Sequence, residues 1–180
     1  MESIVKVTGN FQDIRLDFTP EAPLEEKERS RVRANYPTTL AYLHIYLNGK
    51  DVTASLPSGY MLWILAGLLR GFTDLVSGQT TIAQANWYSD PWCFELRSNL
   101  KQNRVYITLH IPEQCIVMQD VGIPLDSFGH EIIRISQKWL KYLGRVYYEE
   151  IVDSKLGSEY RQFEKHLKNS QKVLQEYINR

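Results

Sequence analysis

The chain has 180 residues, 43% of them hydrophobic and 23% charged, which is enough to bury a core without disulfides and excludes wholesale disorder. Its 21 lysines and arginines equal its 21 aspartates and glutamates, so no net charge draws it toward nucleic acid or an anionic membrane. No secretory signal is recognisable, and the longest apolar run is about half the roughly 20 residues of a membrane span. We therefore expect a cytoplasmic protein of one domain, residues 1–180, with no membrane partner.

The chain is predicted to open with a β-hairpin. Residues 3–8 and 11–18 are rich in strand formers, and Gly9-Asn10 between them tolerates the positive φ of a tight turn. The next segment, 19–37, is bounded by prolines and dense in charge, with glutamates before arginines in the order that suits a helix dipole. We predict a charged link here, either a short helix or a mobile loop.

A half-buried strand is predicted over residues 39–47, where apolar and polar side chains alternate. Asn48-Gly49 follows as a second strong turn signal, because both residues tolerate positive φ. Residues 51–54 are then predicted to return as a short strand.

A buried helix is predicted over residues 58–77, which are apolar around most of the helix circumference. Ser58 is the expected N-cap, and Gly78 is the expected stop. Gly67 and Gly71 lie one turn apart, so they would let the helix backbone approach the sheet closely. The same spacing in a membrane helix would favour dimerisation, but this apolar run is too short to span a bilayer.

Four further strands are predicted over residues 82–88, 92–97, 104–111 and 115–121, separated by turn formers, and they should form a meander. Cysteines occur on two of them, and two cysteines are too few for a disulfide scaffold, which is typical of a reducing compartment. A single bridge between these cysteines stays open.

The last third of the chain, residues 124–180, is predicted to be a helical tail. Apolar residues recur every three or four positions after the helix-start signature at Pro124, and the pattern breaks near residues 153–158, which include Gly157. The sequence therefore predicts an α+β fold with a mostly antiparallel sheet. One buried helix follows the third strand, and an antiparallel helical pair forms the C-terminus.

Polar side chains on the predicted strands are the main candidates for a binding site. Imidazoles, a carboxylate and a guanidinium would converge if these strands are neighbours, which suits acid–base chemistry or anion binding. The alternative is an ordinary outward sheet face, where such residues are common. Three aromatics around the turn at residues 87–92 indicate either an interface or core packing. The candidate binding residues are Tyr42, His44, Tyr46, Trp87, Tyr88, Glu95, Arg97, Tyr106 and His110.

No motif in the sequence predicts a catalytic residue, a metal site or a cofactor. Zinc-ligand spacings, phosphate-binding loops and nucleophile elbows are all missing. Basic residues do recur along one face of the last helix, at Arg161, Lys165, Lys168 and Lys172. A solvated face explains this stripe better than a nucleic-acid site, because glutamates share the helix and the whole chain is neutral.

These observations favour a non-enzymatic module that binds another protein. The layout, a small β-rich domain with a helical tail and no catalytic motif, resembles that of many bacterial immunity or inhibitor proteins. That resemblance implies a protein partner that is neutralised by binding. The alternative is a small-ligand-binding protein or a hydrolase-like enzyme, with His44, Glu95, Arg97 and His110 in a pocket.

Overall fold

The structure is a computed structural model that describes residues 6–21, 40–54, 56–87, 91–111, 114–153 and 155–180. Within these ranges the strands are β1 (Val7–Asn10), β2 (Ile14–Pro20), β3 (Leu40–Leu47), β4 (Lys50–Asp51), β5 (Gly59–Tyr60), β6 (Ile82–Asn86), β7 (Cys93–Asn99), β8 (Arg104–Ile111) and β9 (Cys115–Pro124). The helices are α1 (Met61–Val76), α2 (Leu125–Val146), α3 (Tyr148–Asp153) and α4 (Lys155–Ile178). The fold is α+β with mostly antiparallel strands, as predicted.

Five strands form a large sheet with the order β1-β9-β8-β7-β6. Strands β6 to β9 are antiparallel neighbours in chain order, which confirms the predicted meander. Alternate side chains along β8 are buried, including Val105, Ile107 and Leu109, while the residues between them are partly exposed. One face of the large sheet is therefore core, and the other face points outward.

The predicted N-terminal hairpin is wrong, because β1 and β2 belong to different sheets. Strand β1 runs parallel to β9, and the Phe11 N–H donates to the carbonyl of Gly122 at 2.8 Å. Gly9 does have a positive φ of 112°, but it lies within β1, opposite a bulge where β9 carries one extra residue. Positive φ suits an irregular strand as well as a turn, so the sequence signal was ambiguous.

The remaining strands form a small sheet with the order β2-β3-β4, and β5 also pairs with β3. The Asn48-Gly49 turn is confirmed, with φ values of 49° and 78°. Strand β4 is shorter than the predicted strand at residues 51–54. Of the predicted charged link, Thr19 and Pro20 form the end of β2, and residues 22–37 lie outside the described residues.

Helix α1 is buried on nearly all sides, as predicted, but it begins later than expected. Tyr60 occupies the N-cap position without a side-chain cap, while the Ser58 hydroxyl donates to Glu21 at 2.5 Å. The predicted Ser58 cap is therefore wrong. The predicted close approach is confirmed, because a Cβ built on Gly67 would lie 2.9 Å from the Ala85 Cβ on β6.

Helices α2 and α4 form the predicted antiparallel C-terminal pair. The start of α2 meets the end of α4 at Gly129 and Leu174, and the end of α2 approaches the start of α4 at Gly144 and Tyr160. The short helix α3 lies between them, and α4 begins at Lys155, inside the predicted break at residues 153–158. Gly157, expected in the break, is instead a buried residue of α4.

One continuous cluster of buried residues includes both sheets, α1, α2 and α4. Helix α2 also protects the free edge of the small sheet. Its Glu131 accepts a hydrogen bond from the Leu16 N–H at 2.6 Å, and its Arg134 donates to the Leu16 carbonyl. A second strand therefore cannot pair with β2 at this point.

Candidate functional site

The nine candidate residues do not form one site, because they belong to separate parts of the fold. The first group lies on β3 in the small sheet and comprises Tyr42, His44 and Tyr46. The second group lies on β7 and β8 in the large sheet and comprises Glu95, Arg97, Tyr106 and His110. The expected convergence of His44 with the second group is therefore wrong. Alternation in the sequence shows which face a residue takes, but not which sheet its strand joins.

Arg97 is the centre of a polar network on the outward face of the large sheet. Its guanidinium donates to the Asp120 carboxylate, and its Cζ lies 5.5 Å from the centre of the Tyr106 ring. Asp120 has a φ of 48° in the bulge of β9, and its N–H donates to Thr108 Oγ1 at 3.2 Å. The bulge thus directs a carboxylate toward Arg97. Arg97 and Asp120 side chains are 49% and 55% exposed, so this network is open to a partner.

His110 lies directly opposite Cys93 across β7 and β8, and Glu95 lies two residue pairs further along, opposite Thr108. Burial, and then the negative charge of Glu95, raise the pKa of the Cys93 thiol. Because the thiol stays protonated at neutral pH, it is a poor nucleophile. Cys115 is on β9, which β8 separates from β7, and both cysteines are free. Among the described residues, no cluster of three His, Cys, Asp or Glu side chains is placed to hold a metal ion.

The aromatic turn contributes to the core. Trp87 is fully buried, and its ring stacks on Phe94 with centres 5.8 Å apart. Trp92 is also buried. Trp87 therefore cannot contact a partner directly, and the core interpretation of this tryptophan is the better one. Tyr88 lies outside the described residues.

A chain of hydrogen bonds crosses the outward face of the small sheet, and sequence reasoning missed most of it. Thr19 Oγ1 lies 3.0 Å from His44 Nε2, and His44 Nδ1 lies 2.8 Å from Asp51 Oδ2. The other oxygen of Asp51 accepts from the N–H and the hydroxyl of Thr53 at 2.8 and 3.0 Å. The two-residue turn before β4 sets Tyr46 opposite Asp51, which places Asp51 diagonally beside His44. The Asn48-Gly49 turn is therefore the feature of the sequence from which the position of Asp51 beside His44 could be predicted.

Asp17 lies on the same outward face, and Lys138 Nζ of α2 donates to its Oδ1 at 2.5 Å. Burial alone would raise the pKa of Asp17. The hydrogen bonds from Lys138 and from the Phe18 N–H, with the charges of Lys138 and Arg134, outweigh burial and lower it. This ion pair fastens α2 to the small sheet rather than leaving a free carboxylate.

The basic stripe of α4 is exposed along its whole length, as the solvated-face interpretation expects. Lys172 lies 3.8 Å from Glu176 on the next turn, a weak surface ion pair. None of the helices in the described ranges has both the length and the apolarity needed to cross a bilayer. No family model, curated protein or solved structure matches this chain significantly.

Proposed function

We propose that this chain is a non-enzymatic protein-interaction module that binds its partner through the outward face of the large sheet. The observation that carries this proposal is the Arg97, Asp120 and Tyr106 network, which presents a cation, a carboxylate and an aromatic ring on an exposed surface. Arginine and tyrosine dominate the energetics of protein interfaces because they combine large contact area with directed hydrogen bonds. The helices leave this face available, since α1 packs on the opposite face through Gly67 and Ala85.

The separation of the candidate residues also favours binding over catalysis. A pocket of His44, Glu95, Arg97 and His110 would have supplied acid–base chemistry, but His44 lies on the other sheet. The outward face of the large sheet carries charges of both signs, so a partner with a mixed polar surface suits it best. More specifically, we propose a bacterial immunity or inhibitor role, in which binding neutralises the partner. We propose that the protein acts in the cytoplasm, because its two free cysteines suit a reducing compartment.

The experiment is affinity capture from the native host, followed by measurement of the dissociation constant for the recovered protein. Tyr106→Ala and Arg97→Ala should each weaken binding about tenfold or more, because interface hot spots are worth at least about 2 kcal/mol. Tyr42→Ala, the same type of change on the small sheet, is the matched control and should bind normally. If Tyr42→Ala abolishes binding while Tyr106→Ala does not, the interaction module stands but its surface is the small sheet. Failure to recover any partner contradicts the proposal.

A second candidate function rests on the Thr19, His44 and Asp51 chain, whose order of hydroxyl, imidazole and carboxylate suits acyl-ester hydrolysis. Thr19 Oγ would attack the ester carbonyl while its proton passes to His44 Nε2, and His44 would return that proton to the departing alcohol. Water would then release the acyl group and restore the Thr19 hydroxyl. Hydrolysis of p-nitrophenyl acetate that Thr19→Val and His44→Gln both abolish would support this function. Equal rates in the wild type and both variants would refute it.

A further inference from the structure

Helices α1 and α4 lie side by side and run in the same direction. Trp63 Nε1–H donates to Glu159 Oε2 at 2.9 Å near the start of both helices. About three turns further along each helix, the hydroxyls of Thr73 and Ser170 lie 3.0 Å apart. The two contacts fix the rotation of each helix about its axis, so the side chains between them face each other.

A pocket of about 240 Å³ lies between these two contacts. Its lining includes the buried side chains of Leu62 and Phe163 and the partly exposed side chains of Trp63 and Ala66. The small side chain of Ala66 leaves the space that a larger residue would fill. The pocket therefore offers an apolar wall and an indole surface to a flat ring.

One end of this pocket is basic. Arg70 and His166 line it together, and within α1, all of which is described, Arg70 alone is exposed. Among the described residues Arg70 has no ion-pair partner within 4.0 Å. Burial, then the charges of Arg70 and Lys165, lower the pKa of His166, while Asp74 opposes them with a smaller effect. Arg70 and Lys165 each act on His166 more strongly than Asp74 does, and the positive charge of Arg70 in the pocket lining would attract an anion.

We propose that this pocket binds a small aromatic anion, with its acidic group at Arg70 and His166 and its ring against Trp63. Arg70 lies seven residues after Trp63, about 10 Å along the helix, which suits a one- or two-ring compound with one acidic group. The guanidinium can donate two parallel hydrogen bonds to a carboxylate. Glu159 disfavours an acidic group at the other end, so the charges fix the orientation. This site is separate from the outward face of the large sheet and does not depend on the proposed function.

The test compares 1-naphthoate with 1-naphthamide, which has the same ring system and shape but no charge. Trp63 reports binding through changes in its fluorescence and its indole N–H resonance, because it lines the pocket while the other three tryptophans are buried elsewhere. We expect naphthoate to bind at least tenfold more tightly than naphthamide, since a hydrogen bond to a charged group is lost with the amide. Naphthoate should also raise the pKa of His166, measured by NMR titration of its ring, and naphthamide should not.

Three variants complete the test. Arg70→Gln should remove the preference for naphthoate, and Ala66→Leu should block both compounds by filling the pocket. Lys168→Gln, an equal charge change at an exposed position of α4, is the control and should leave both affinities unchanged. Two results overturn the proposal: equal affinity of the wild type for both compounds, or naphthoate binding that Arg70→Gln does not weaken. Neither result bears on the partner-binding face, whose variants are tested with the partner protein.

Discussion

The contact between α1 and β6 can be tested with a single methyl group. In Gly67→Ala, the new Cβ would lie 2.9 Å from the Ala85 Cβ and 3.2 Å from the Ala85 Cα. The second atom belongs to the backbone of β6, so it cannot rotate away as the end of a long side chain would. Overpacking of this kind costs about 1–3 kcal/mol. The helix itself gains about 1 kcal/mol when alanine replaces glycine.

The net expectation is that Gly67→Ala lowers the free energy of unfolding by about 1 kcal/mol, taking the middle of the overpacking range. Urea denaturation followed by circular dichroism measures this difference as a shift in midpoint at unchanged slope. The matched control is Gly144→Ala in α2, where the nearest atom is the Tyr160 hydroxyl at 3.9 Å. That variant has no clash, so it should gain a few tenths to about 1 kcal/mol.

A double-mutant cycle identifies the clashing group. Ala85→Gly removes the methyl group that the new side chain would meet, so Gly67→Ala should cost less in that background than in the wild type. The coupling between the two changes should reach about 1 kcal/mol, in the range found for residues in contact. If Gly67→Ala stabilises the wild-type protein as Gly144→Ala does, α1 does not approach β6 closely, and the packing described above is refuted.

Three further predictions concern the hydrogen bond from Leu16 to Glu131, the dependence of stability on acidic pH, and the buried Trp87. Glu131→Ala leaves the Leu16 N–H without its acceptor and should cost about 1–3 kcal/mol in urea denaturation, while Glu131→Gln, which keeps an acceptor, should cost less. Burial alone would raise the pKa of Asp17, but its hydrogen bonds and the nearby positive charges together lower it below the usual 3.8. Asp17 therefore stabilises the fold above that value and loses this effect as pH falls through the lowered pKa. Asp17→Asn should therefore make stability fall less steeply between about pH 5 and pH 2. Trp87→Ala should cost about 3–5 kcal/mol in thermal or urea unfolding, and a loss no larger than that of an exposed tryptophan contradicts its burial.

The elements that sequence predicted best are those defined by local periodicity. The meander depends on alternation within each strand and on short turns between neighbours, and both are properties of adjacent residues. Helix α1 likewise follows from the apolar composition around its circumference. The helix begins later than the Ser58 cap signal predicts, because Ser58 bonds to Glu21, which precedes it by 37 positions. A cap is a local signal, and a distant acceptor can override it.

The assignment of strands to sheets could not be predicted in the same way. Strand β3 alternates as clearly as β8, but alternation is identical whether two strands are neighbours or belong to separate sheets. Alternation alone therefore groups His44 with His110, although the structure places them in different sheets. Asp120 was missed for a related reason, because its outward position depends on a bulge that no local pattern indicates. Asp51, in contrast, was accessible, since a two-residue turn fixes its opposite residue as Tyr46.

The positions of the two proposed sites make their tests independent of each other. Gly67 of α1 meets the inner face of the large sheet, so the sheet itself separates the α1–α4 pocket from the Arg97 network on the outward face. A pocket ligand that binds only the folded chain should stabilise it by about 2.7 kcal/mol at a concentration one hundred times its dissociation constant. That stabilisation requires no contact with the partner, so partner affinity should stay the same when the pocket is filled. If naphthoate instead changes the affinity for the partner, the two sites must be coupled through α1 and the large sheet, because the sheet prevents direct contact between the ligand and the partner.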